Sequence, residues 1–356
     1  MVQTLTRCRS CGLPGKLAER LEWRSGGTIV FGRTMSMRLA LLDAQTMDNI
    51  QRDLASGVGG DACMMAEKEA TRIVTGSLLA GIKGRLTRYG AIKKRALEDM
   101  EEYSLLLGMG RIEMERFTPG EGGALKLHKP FDLMVTAAGV TGALEEMDRC
   151  RYRTSISSLG EHDYRLVLEV SESEDPEVSL SEPSSWHGRG GEKVRGCSLC
   201  GLPLAFSQLL WDELYGTVEA GIQGRRVAFL PAYMLSVLAR LGKGEVEGGQ
   251  AGLVERAVYA STVNGLERGR DDAYESTAIV PRNGNARIAW GSMAMRGWGE
   301  VVGGALRGRE WRIDVLDPVD MGLVAGWLRA LYTLATGEDT ATRIEEGRES
   351  TTFSLG

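Results

Sequence analysis

The heptad Cys8-Arg-Ser-Cys-Gly-Leu-Pro14 returns as Cys197-Ser-Leu-Cys-Gly-Leu-Pro203, at an offset of 189 residues. The match continues downstream. Trp23 falls opposite Trp211, Gly27-Thr-Ile29 opposite Gly216-Thr-Val218, and Arg38-Leu-Ala-Leu-Leu-Asp-Ala44 opposite Arg226-Val-Ala-Phe-Leu-Pro-Ala232. Gly108-Met-Gly110 aligns with Gly297-Trp-Gly299, Pro130-Phe-Asp132 with Pro318-Val-Asp320, and Gly160 with Gly347. The offset stays between 187 and 189 throughout, so the heptad reads as the start of a unit copied in tandem. The period is far beyond the roughly 20–50 residues of a solenoid, and each copy is expected to be a domain. The division is residues 1–171, a linker at 172–196 and residues 197–356. The linker is rich in Ser, Glu, Gly and Pro and nearly free of aliphatics, too polar to order itself by burial.

Within the first copy, Trp23–Phe31 suits one or two short strands, and Arg38–Leu54 spaces Leu39, Leu42, Met47, Ile50 and Leu54 as a helix would. Helices are expected over 62–82, 95–107 and 132–147, the last with Ala137, Ala138, Gly139 and Gly142 permitting close packing. Strands are expected over 111–117 and 125–128, and a hairpin over 152–170. The second copy repeats the order. Helices fall at 232–241, 253–266 and 319–334, strand-like runs at 287–290 and 311–316, and a closing pair at 342–344 and 351–355. The expected class is α+β, two tandem copies of helices on an antiparallel sheet, each opened by a Cys-x-x-Cys-Gly zinc knuckle.

That order resembles the 4-vinyl reductase domain family, also called hydrocarbon-binding domains and related to the TRAPP transport-particle subunits. The resemblance rests on GMGRIEMERF and GWGEVV, on the helices KPFDLMVTAAGVTGALEEM and DPVDMGLVAGWLRALYTL, and on the closing strands SSLGEHDYRLVLEV and EEGRESTTFSLG. It implies a small, often apolar or aromatic ligand held between helices and sheet, and for some members a part in tetrapyrrole or aromatic metabolism or in sensing. Many members carry a Cys before the final aromatic. Here polar or charged residues stand at those positions, so nothing that depends on that Cys carries over.

Two thiolates two residues apart can grip one ion, and the following Gly allows a tight turn that aims N–H groups at sulfur. One knuckle supplies two ligands and structural zinc takes four. Cys8, Cys11, Cys197 and Cys200 are therefore expected to complete one tetrahedral site near a pseudo-two-fold axis, clamping the copies together. The alternatives are a site shared between two chains of an oligomer, an iron–sulfur cluster on the same thiolates, and reversibly oxidised dithiols. The pairs Arg-Ser and Ser-Leu between the thiols are unlike a thioredoxin motif. Cys63 and Cys150 lack counterparts and read as bystanders.

Catalytic signatures are missing from the sequence. The three histidines, His128, His162 and His187, stand at no catalytic or ligating spacing, and no Walker loop or dinucleotide fingerprint occurs. Asp132 and Asp320, each two residues after a proline, read as helix caps. The candidate ligand-binding residues are Arg38 and Arg226, which could grip an acidic group, His128, and the cavity-type residues Met109, Trp298 and Trp327. Met109 faces Trp298 in the alignment and Gly139 faces Trp327, so a first-copy pocket would be the roomier.

A net charge of −5 argues against nucleic acid as partner, and the one dense basic run, Lys83–Arg95, reads as a solvated helix face. No apolar run is long enough to span a membrane, and the N-terminus lacks a signal-peptide core, which points to the cytoplasm and reduced thiols. The leading expectation is a binding protein for a small hydrophobic molecule, stapled by zinc and acting as sensor, carrier or accessory factor. The alternatives are a metal-dependent enzyme or assembly factor in tetrapyrrole or aromatic metabolism, and a TRAPP-like interaction scaffold with a homodimer or protein partner.

Overall fold

A computed structural model describes residues 6–32, 37–80, 90–172, 195–220, 224–241, 252–268, 286–307 and 309–356. Nearly all of the expected linker lies outside the described residues, as does much of the basic run.

The chain is α+β with antiparallel sheets. In the first half it runs α1 (Gly15–Arg20), β1 (Leu21–Arg24), β2 (Thr28–Phe31), β3 (Met37–Asp43), α2 (Ala44–Val58), α3 (Gly60–Ala80) and α4 (Gly90–Leu107). It continues with β4 (Arg111–Thr118), β5 (Gly122–His128), α5 (Leu133–Asp148), β6 (Arg151–Ser158) and β7 (Asp163–Ser171). The second half runs β8 (Leu210–Asp212), β9 (Thr217–Ala220), β10 (Arg225–Pro231), α6 (Ala232–Leu241), α7 (Leu253–Arg268) and α8 (Ala286–Met295). It closes with β11 (Glu300–Arg307), β12 (Glu310–Leu316), α9 (Met321–Thr336), β13 (Arg343–Glu346) and β14 (Thr351–Leu355).

Two four-stranded sheets, β4-β5-β7-β6 and β11-β12-β14-β13, share one strand order. A third, six-stranded sheet runs β1-β2-β3-β10-β9-β8, three strands from each half. Its centre is the antiparallel β3–β10 pair, with Leu41 opposite Phe229 and Ala40 opposite Leu230. Both faces of that pair are covered. Leu39, Leu41, Val227 and Phe229 pack under Leu13, Leu17, Leu202, Phe206 and Trp211 next to the cysteine turns. Ala40, Leu42, Ala228 and Leu230 pack with residues of α2, α3, α6 and α7.

This double burial corrects one sequence reading. Arg38–Leu54 is not a single helix: Arg38–Asp43 belongs to β3, and the helix begins at Ala44, where the Asp43 carboxylate accepts from Thr46 N at 2.8 Å. A strand buried on both faces is apolar at every position and has no period-2 alternation to announce it. A second correction concerns residues 287–290, expected as a strand and found in α8. Short apolar runs are ambiguous between the two states. Asp132 and Asp320 do cap α5 and α9, accepting from Val135 N at 2.9 Å and from Gly322 N at 2.8 Å.

The halves do not close as separate cores. The β1–β3 segment of the first half docks on the second. Gly299 N donates to Gly27 O at 3.1 Å and Leu41 N to Arg296 O at 2.8 Å, while Trp298 Nε1 donates to Leu41 O at 3.0 Å. Reciprocally, Gly110 N donates to Gly216 O at 3.0 Å and Trp211 Nε1 to Leu106 O at 3.1 Å. Each Gly-x-Gly sits at a point where chain from the other half comes close. Gly108 and Gly297 hold φ of +81° and +76°, and a Cβ on either would lie 2.6–2.7 Å from a carbonyl oxygen of the other half, that of Val227 or Leu39.

Candidate metal centre

Each Cys-x-x-Cys turn is built by its own backbone. Cys8 N donates to Leu13 O and Gly12 N to Cys8 O, at 2.8 and 2.9 Å; Cys197 N and Gly201 N do the same with Leu202 O and Cys197 O at the same distances. The glycines stand at φ +75° and +79°, a left-handed conformation that a side chain would strain. Short β-bridges, Arg7 with Pro14 and Gly196 with Pro203, close the bases of the turns, and buried Leu13 and Leu202 anchor them in the core.

The four thiols converge, all within 4.8 Å of one another. Cys8 Sγ lies 3.9 Å from Cys197 Sγ, and Cys11 Sγ 3.5 Å from Cys200 Sγ. A tetrahedral ion with metal–sulfur bonds of about 2.3 Å sets its sulfurs about 3.8 Å apart, so this set fits a single ion. The sequence joined these four residues correctly: the turns stand 189 residues apart in the chain and meet in space.

The pairs differ in surroundings. The backbone N–H groups of Cys11 and Ser10 hold the Cys8 thiol below its ordinary value, and those of Cys200 and Leu199 bring Cys197 down to about 6. Burial pushes Cys11 up and Cys200 to about 12, since both pack against the apolar core beneath the turns. A cation would bind all four as thiolates and release the protons that the inner pair holds. Arg7, which the sequence reading overlooked, ties the turns to the second half by donating to Glu213 Oε1 at 2.8 Å and Trp211 O at 3.3 Å. Its only signal was its position beside Cys8.

The other candidates do not gather at one cavity. The Arg38 guanidinium donates to the carbonyls of Asp317, Gly297 and Pro318 at 2.5, 3.2 and 3.5 Å, and Arg226 to those of Pro130 and Lys129 at 2.7 and 2.8 Å. Burial brings Arg38 down to about 10, and lowers Arg226 as well. Lys129 and Asp317 are two of only three described non-glycine residues at positive φ, and in each case an arginine of the other half takes the carbonyl. Each arginine is thus a tie between halves.

Trp298 and Trp327 are buried edge-to-face in the core with centroids 6.5 Å apart. Met109 lies on the other side of the pattern, half-buried, its carbonyl accepting from Phe131 N at 2.9 Å. His128, at the end of β5, lies between Asp163 and Glu113 at 3.1 and 3.3 Å. A cleft of about 280 Å³ opens elsewhere, lined by Glu98, Glu101, Glu102 and Glu113 with Arg95 and Arg111, none of which the sequence singled out as a site.

No protein-family model matches the chain, and no curated protein or solved structure matches it. Among the described residues no helix is long and apolar enough to cross a membrane.

Proposed function

We propose that the chain is a tandemly duplicated interaction scaffold whose halves are held together by one structural zinc on Cys8, Cys11, Cys197 and Cys200. The observation that carries this reading is the sulfur set itself, four thiols from two distant turns at the spacing of a tetrahedral ion. Four protein ligands fill a tetrahedral shell and leave no position for a substrate, which favours a structural role over the metal-dependent enzyme or assembly factor. In an iron–sulfur cluster the thiolates bind separate irons with sulfide between them, so sulfurs this close support a lone ion. Duplication is supported by the constant offset together with the matching sheet orders and reciprocal arginine ties.

The scaffold reading is favoured over the carrier of a small hydrophobic ligand by where the candidate residues point. Arg38 and Arg226 give their terminal guanidinium nitrogens, and Trp298 its indole N–H, to backbone carbonyls of the opposite half, and the open cleft is carboxylate-rich, unlike the apolar lining a hydrocarbon or aromatic ligand needs. What the scaffold presents is a pair of four-stranded sheets of the same strand order, joined through a six-stranded sheet to which each half gives three strands.

Metal analysis of protein purified under reducing conditions is expected to return one zinc per chain and a colourless solution. Chelation should lower the melting temperature, and Cys8→Ser should lose the metal. Metal-free protein whose melting ignores chelators overturns the reading, and a brown iron-bearing protein replaces zinc with iron. An apolar small molecule released stoichiometrically on denaturation restores the carrier reading.

A further inference from the structure

The four thiols meet as two like pairs across the seam between the turns, first cysteine to first and second to second, and the second pair, Cys11 and Cys200, is the closer at 3.5 Å. A disulfide needs about 2.05 Å, an approach of about 1.5 Å for this pair. The backbone around it can yield. Arg9, Ser10, Gly12, Ser198, Leu199 and Gly201 are all exposed, and nothing lies within 4 Å of the Cβ position of either glycine. The turns are fixed at the buried Leu13 and Leu202, so their tips can shift while the core beneath stays packed. Cys11 and Cys200 are themselves part-exposed, within reach of a small oxidant.

We infer that oxidation closes a disulfide between Cys11 and Cys200, one from each turn, so that the same two turns are tied by a metal ion when reduced and covalently when oxidised. The reduced half of this statement rests on the metal centre proposed above. The oxidant is a hydroperoxide. One sulfur, its proton given up to water, attacks the peroxide O–O bond and becomes a sulfenic acid as hydroxide leaves. The other, likewise deprotonated, attacks that sulfur and expels a second hydroxide. The sulfur pair gives up two electrons, hydrogen peroxide becomes two waters once two protons are taken up, and the ion, left with Cys8 and Cys197 alone, is released. The competing product is a disulfide inside one Cys-x-x-Cys turn. That product would leave the two turns without a link to each other.

Trypsin separates these outcomes because Arg9 lies between Cys8 and Cys11. Cleavage yields peptides 8–9 and 10–16 from the first turn and 196–225 from the second. Reduced protein is treated with one equivalent of hydrogen peroxide, alkylated, digested without reductant and mapped by mass spectrometry, while released zinc is followed with a chromogenic chelator. The expected result is peptide 10–16 joined to 196–225 as the main oxidised species, with one metal released per chain. The double variant Cys8→Ser/Cys197→Ser should still form the link, which assigns it to Cys200, and Cys11→Ser/Cys200→Ser should not.

Peptide 8–9 joined to 10–16, a 196–225 peptide closed on itself, or sulfinic acid without any disulfide overturns the inference, and the wild-type map decides this even if the variants fail to fold. A parallel digest of chelator-stripped protein keeps the two readings apart. A cross-link in protein that never carried metal sinks only the metal centre, whereas bound metal without a cross-link sinks only the disulfide.

Discussion

In the seam where α3 packs along α5, Lys68 Nζ lies 3.2 Å from a Glu145 carboxylate whose side chain is fully buried. That carboxylate also takes Arg151 at 2.9 Å and the backbone N–H of Tyr152 at 2.9 Å. In the matching seam of α7 with α9, the buried residues are Val254, Ala257 and Val258 against Leu323, Val324 and Leu328, with Trp327 edge-to-face with Trp298. The helices approach equally closely in both: a Cβ on Gly142 would strike Lys68 O, and one on Gly326 would strike Glu255 O, each inside 2.5 Å. One backbone frame is therefore filled with charge on one side and with rings on the other. Burial of a charge is tolerated only while every partner stays, whereas an apolar filling loses stability in proportion to the volume removed.

The largest effects should come from breaking each seam by its own logic. Glu145→Ala removes the buried carboxylate that Lys68, Arg151 and the Tyr152 N–H share, and Trp327→Ala leaves a void; each should cost about 3–5 kcal/mol in denaturant unfolding. The comparison sharpens with Glu145→Gln, which keeps the shape and removes the charge: a loss close to that of Glu145→Ala makes the charge, not the packing, the cause. Next come the arginine ties. Arg38→Met and Arg226→Met should each lose about 1.5–3 kcal/mol, and by similar amounts if the two ties are equivalent.

A pH effect is expected from α3, on its side toward Gln51 of α2. Glu67 on α3 is fully buried, and burial holds its carboxyl protonated up to about 8 from an ordinary 4.5. Between those values the unfolded chain has lost the proton and the folded chain keeps it, so stability should fall as pH rises from 4.5 to 8 and level off above. Glu67→Gln should flatten this part of a melting-temperature profile, and an unchanged slope would assign the effect to other groups. The smallest change is expected at the rim of the aromatic seam. Asp339→Asn weakens the bidentate pair with Arg329, at 2.6 and 2.7 Å with Asp339 half-exposed, and should cost under about 1 kcal/mol.

The thiol site was the most legible part of the sequence, because the spacing of Cys8, Cys11, Cys197 and Cys200 and the repeat that carries it both survive in one dimension. Helices with capping residues were legible too, as at Asp132 and Asp320. What failed was local ambiguity: Leu39 and Leu42 lie on a strand buried on both faces, and the same spacing suits a helix. The arginines drew notice as a matched pair, but their partners are backbone carbonyls, which leave no mark in a sequence. The crossing of segments between halves was hidden for a related reason. Two repeats related by a constant offset predict the same local contacts whether each segment folds on its own half or on the other.

The pairing of β3 with β10 also bears on how the chain is made. Leu41 finds its neighbour Phe229 only after the ribosome has added the residues between them. At about 5–20 residues per second that is roughly 10–40 seconds during which an apolar strand has emerged with one edge open. A nascent chain stalled ahead of β10 should therefore recruit chaperones through Leu39 and Leu41, and release them once β10 has appeared.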